Sequence, residues 1–135
     1  MSEEGNESTG GVDYYLLYKR FEVVQDSRQS AVYERFDAAW TLAEAAAMAK
    51  DAEHQAAVRK SIIAASPPGR NSGERSAATI QLLESDAEYR EIEAEAREHR
   101  SRGADVQRRI DVLDEEIKGG LEHMRILANL CSLAK

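Results

Sequence analysis

One seam constrains this chain more than any other feature. From Asn71 to Leu133, apolar and small residues recur at alternating steps of three and four: Ala78, Leu82, Ser85, Tyr89, Ile92, Ala96, His99, Gly103, Val106, Ile110, Leu113, Ile117, Gly120, Met124, Leu127 and Cys131. No proline falls among them. A step averaging 3.5 residues keeps one side of a helix turned toward a neighbouring helix. A single helix over this stretch would run about 95 Å at 1.5 Å per residue. No compact domain of 135 residues is that wide, so the helix must project or pair.

The segment ahead of the seam supplies the partner. Tyr33, Phe36, Trp40, Ala43, Ala47, His54, Ala57, Ser61 and Ala64 follow the same rhythm, predicting a helix over about 29–65. Its alanine-rich centre allows close approach, with Trp40 as the largest anchor in the contact. Ser66-Pro67-Pro68-Gly69 is the strongest stop signal in the chain. The loop 66–73 then joins the two helices as an antiparallel hairpin. Asn71 followed by Glu74 resembles a capping box at the start of the long helix, over about 74–133. Tyr14, Leu17, Phe21 and Val24 share one face of a short helix over about 13–25 that begins at Asp13 and breaks at Asp26 and Ser27. The β-forming residues in YYLLY and FEVV also suit a strand, but no second strand offers itself as a partner. Residues 1–12 (MSEEGNESTGGV) read as a disordered acidic tail. The fold expected is therefore all-α, one helical domain over 13–135.

The bulk numbers narrow the function classes. The net charge is −7, and four of the acids (Glu3, Glu4, Glu7, Asp13) lie in a front segment without a base, which leaves about −3 for the body. A surface that binds polyanions everywhere is excluded, while local basic patches are not. The single cysteine, Cys131, permits no internal disulfide and suits a reducing compartment. No apolar run approaches the ~18 residues of a membrane span. These features predict a cytoplasmic protein with no membrane partner.

Chemistry-bearing constellations are weak. Asp51-x-x-His54 is the nearest approach to the Glu-x-x-His pairs of a helical di-iron site, and no second pair supports it. The serines and Cys131 lack a base-and-orienter arrangement, and no phosphate-cradling glycine loop occurs. The expectation is no enzyme, no metal and no cofactor. Charge is more informative. Seven acids between Glu84 and Glu98 face only Arg90 and Arg97, and Arg100, Arg102, Arg108 and Arg109 follow directly. Staggered neighbours could match the acidic block to the basic one. Arg59, Lys60, Arg70 and Arg75 cluster at the hairpin tip, where cations beside loop glycines suit a phosphate backbone.

Beyond the reach of the second helix, the long helix grows more apolar. Ile110, Leu113, Ile117, Leu121, Met124, Leu127 and Cys131 are the expected surface of a homo-oligomer formed through this C-terminal end.

The stretch from Arg59 to Leu130, with Leu83-Glu84-Ser85-Asp86-Ala87-Glu88-Tyr89 at its centre, resembles the small phage helical proteins of the UvsY recombination-mediator type. That resemblance implies a non-enzymatic oligomeric accessory protein that binds single-stranded DNA and helps load a recombinase. The matching basic positions would be Arg59, Lys60, Arg70 and Arg75, and the location would be the host cytoplasm. The alternative from the residues alone is a structural or adaptor coiled-coil module that binds another protein and no nucleic acid.

Overall fold

The computed structural model describes residues 13–133. The expected tail over 1–12 lies outside them. Three helices account for the described chain: α1 (Tyr14–Ala64), α2 (Ser72–Ser85) and α3 (Ala87–Leu133). No strand occurs among the described residues. Helix α1 packs against α3 as a hairpin.

Two element boundaries differ from expectation. The break at Asp26 and Ser27 does not form, and α1 is one helix of 51 residues. Asp and Ser cost a helix interior only a few tenths of a kcal/mol each relative to Ala. Packing of Val24, Arg28 and Ala31 on either side outweighs that. Asp13 does begin the helix as its spacing predicts: its carboxylate accepts from the Tyr15 and Leu16 amides at 2.9 and 3.3 Å. The long helix expected over 74–133 is instead interrupted at Asp86, whose backbone is extended (φ −78°, ψ 107°). An aspartate can offer the chain a cap in place of a helical turn, and here it does: the Tyr89 amide donates to the Asp86 carboxylate at 2.9 Å.

The residues divide into two compact units. The first joins the α1 residues up to Ala38 with the α3 residues from Arg108. Its core is Ala31, Ile110, Leu113 and Leu127. Arg35 donates to Asp114 at 2.6 Å, and Arg109 pairs with Glu34. Gly120 sits where a Cβ would come within 3.2 Å of the Arg28 stem, so the missing side chain admits Arg28.

The second unit spans Ala39–Gln107, and its buried residues are Ala45, Ala49, Ala52 and Ala96. Four methyl groups bury little area, but they let two helices approach closely. Where Gly103 lies, an added Cβ would stand 3.7 Å from Leu42 and 3.9 Å from Ala45. No α2 residue is buried.

Candidate functional site: outward apolar faces and the hairpin tip

At the tip, the backbone turns through Gly69, whose φ of +149° and the Arg75 amide 2.8 Å from any added Cβ both require glycine. Asn71 then caps α2, its side-chain oxygen accepting from the Glu74 amide at 2.9 Å. The Glu74 carboxylate reaches back to the Arg70 amide at 2.7 Å, one residue further than a standard capping box. Arg70, Arg75 and Lys60 have exposed side chains. The Arg75 guanidinium bends to the Asn71 carbonyl at 3.3 Å.

Arg59, the fourth expected basic residue, does something more specific. Its guanidinium grips the Asp86 carboxylate with two hydrogen bonds of 3.0 and 2.9 Å, and Glu88 lies 3.5 Å away. The Asp86 side chain is only 19% exposed. The paired guanidinium, and then the Tyr89 amide, hold its carboxyl below the usual aspartate range. Arg59 is correspondingly shifted up by its bonds to Asp86. Sequence reasoning missed Asp86 as a structural residue. The signal was Asp86-Ala87-Glu88, a capping aspartate with an acid in the first turn, hidden because the apolar rhythm continues straight through it. Beside the corner, an open cavity of about 820 Å³ is lined by Ile80, Leu83, Ala87, Tyr89, Arg90 and Arg97, among others. The Tyr89 hydroxyl meets the Glu93 carboxylate, which with burial pushes its pKa up.

The expected assembly residues divide. Ile110, Leu113 and Leu127 are buried, because the uninterrupted α1 continues alongside this end of α3 within the first unit. They are core rather than contact surface. Ile117, Met124 and Cys131 are partly covered, and Leu121 is exposed. One side of the overhang expected from Ile110 onward is thus covered by the chain itself, since α1 begins at Tyr14 and not at Gln29, while Leu121, Ile126, Leu130 and Leu133 remain exposed.

The aromatic rhythm of α1 also points the other way from expectation. Tyr33, Phe36 and Trp40 are 65%, 71% and 68% exposed, respectively. At 100° per residue, Phe36 lies more than 120° from Ala31 and Ala38 around the helix axis. The helix carries two stripes, one of alanines and one of aromatics, and the alanine stripe faces α3. Trp40 is therefore no intrachain anchor. On α3, Val112, Gly119, Ile126 and Leu133 repeat every seven residues and are likewise exposed.

Among the described residues, no group of three or more His, Cys, Asp or Glu is placed to hold a metal ion. His99 lies 3.7 Å from Glu95 one turn earlier. No helix of the described chain is long and apolar enough to cross a membrane. No family model, curated protein or solved structure matches the chain.

Proposed function

We propose that this chain is a non-catalytic helical assembly protein that associates with further copies of itself through outward-facing apolar side chains. The observation that carries the reading is the inversion on α1: alanines fill the hairpin seam while Tyr33, Phe36 and Trp40 stand in solvent. Aromatic side chains each remove 150–250 Å² from water when covered, at about 25 cal/mol per Å². Leaving three of them exposed on one helix forfeits several kcal/mol that association would recover. Their spacing of three and four further specifies what covers them, namely another helix lying along α1. The shifted carboxylates Asp86 and Glu34 each answer to an arginine of the hairpin, Arg59 and Arg109, and so serve helix pairing. Sedimentation equilibrium tests the proposal: the account expects a mass that is a multiple of 15.0 kDa.

A second reading, single-stranded nucleic-acid binding by a recombination mediator, draws support from Lys60, Arg70 and Arg75 at the exposed tip. Arg59 contributes less to it than its sequence position suggests, since its guanidinium is already held by Asp86. Titration with a labelled oligonucleotide across salt tests this reading. Binding that weakens with salt and is lost on changing Lys60, Arg70 and Arg75 to Ala supports it, and no binding at low salt removes it.

A further inference from the structure

We infer that Asp86 is the pivot of a two-state arm: α2 is bent from α3 while Arg59 grips the Asp86 carboxylate, and joins α3 as one continuous helix when that grip is lost. The arm belongs wholly to the unit Ala39–Gln107 and does not depend on association between copies.

Little holds α2 in its bent position. None of its 14 residues is buried. Ala78, Thr79 and Leu83 are only partly covered, and Ile80 and Leu82 are exposed. A single residue, Asp86, separates Ser85 at the end of α2 from Ala87 at the start of α3. The backbone leaves the helical range at that residue, with ψ at 107°. Three hydrogen bonds fix it there, and all three end on one carboxylate: the Tyr89 amide at 2.9 Å and the Arg59 guanidinium at 3.0 and 2.9 Å. Loss of this one group removes them together.

The residues suit a straight arm as well. Ala78, Leu82 and Ser85 continue the stripe of Tyr89, Ile92 and Ala96 in phase through Asp86. Arg59 stands beside Asp86, and in an antiparallel pair four residues onward on one helix meet four residues back on the other. A continuous helix would therefore set Leu82 against Ile63, which is only partly covered in the bent form. The connection is long enough. With α2 straight, Ser72 would stand about 13 Å beyond the end of α1 and about 9 Å to its side. The residues 65–71 reach roughly 25 Å when extended, and Pro67 and Pro68 favour extended chain.

The open cavity beside the corner is the inner side of this angle. Its lining belongs to the two helices that meet at Asp86, with Ile80 and Leu83 from α2 and Ala87, Ala94 and Arg97 from α3. Straightening flattens that hollow and lengthens the hairpin by about 13 Å. The arm thus trades a concave surface for a longer rod.

Spin-label distance measurements on the full chain test this. Cys131→Ser removes the native thiol, and labels are placed through Ala77→Cys on α2 and Glu98→Cys on α3, both exposed positions. A continuous helix separates the two backbones by about 32 Å at 1.5 Å per residue, and the bent arm separates them by less. With Asp86 in place the shorter distance is expected. Asp86→Ala, which offers no cap and favours helix, should move it to about 32 Å. Asp86→Pro also lacks the carboxylate but cannot continue a helix, so it should keep the short distance. A short distance retained in Asp86→Ala, or the long one in Asp86→Pro or with Asp86 in place, overturns the pivot. A broad distribution in Asp86→Ala with loss of helix by circular dichroism also overturns it, because α2 would then have melted instead of joining α3.

Discussion

The two units of this hairpin use the same helices in opposite ways. In the first, large side chains fill the seam: Leu113 is fully buried, with Ile110 and Leu127 nearly so. In the second, every buried residue is alanine; ion pairs cross the seam in both, Arg35 with Asp114 and Arg109 with Glu34 in the first, Arg59 with Asp86 and Glu88 and Arg100 with Glu53 in the second. Twelve of the eighteen large exposed apolar side chains belong to the first unit, among them Tyr33, Phe36, Val112 and Ile126. The difference teaches that a seam can be closed either by volume or by proximity. The unit closed by volume also carries most of the outward apolar side chains, with Trp40 of the other unit continuing their stripe on α1.

Truncation should separate the two modes most sharply. Leu113→Ala removes a fully buried side chain and should cost about 2–5 kcal/mol in urea unfolding. Ala45→Gly, at an equally buried position, should cost only about 1–2 kcal/mol, from helix propensity and one methyl group. Equal losses would mean that the alanine seam is as dependent on volume as the other, and the comparison would fail.

A smaller and more local effect concerns the corner between α2 and α3. Because the Asp86 carboxyl is held below its ordinary value, its contribution is fully present above that ordinary value and is lost as pH falls through the depressed folded one. The Tyr89 and Arg59 NMR signals should therefore stay constant from about pH 8 to about pH 5 and move only below about pH 4. Asp86→Asn keeps a capping side chain and removes the charge, so its profile should be flat. A transition in the Asn variant at the same pH would show that another group governs the corner.

Much of this architecture is legible in the sequence, and the misreadings share one cause. Asn71, Gly69 and the proline pair mark the tip through local chemistry, and Asp13 marks the start of α1 in the same way. What periodicity cannot supply is which of two stripes faces inward. On α1 the aromatic and alanine stripes both keep the three-four rhythm, and larger residues make the aromatic one look like the core. Tertiary packing chose the alanines, since small side chains admit close helix approach, and Trp40 was left outside. Asp86 was obscured similarly: an unbroken rhythm from Leu82 to Tyr89 says helix, while the cap and the Arg59 grip that break it depend on a residue 27 positions earlier.

The most direct test of the central claim is the mass of the unaltered chain in solution, measured by sedimentation equilibrium over a range of concentrations. Assembly through the outer faces predicts a mass that rises with concentration in steps of 15.0 kDa. A single species of 15.0 kDa at every concentration would contradict it.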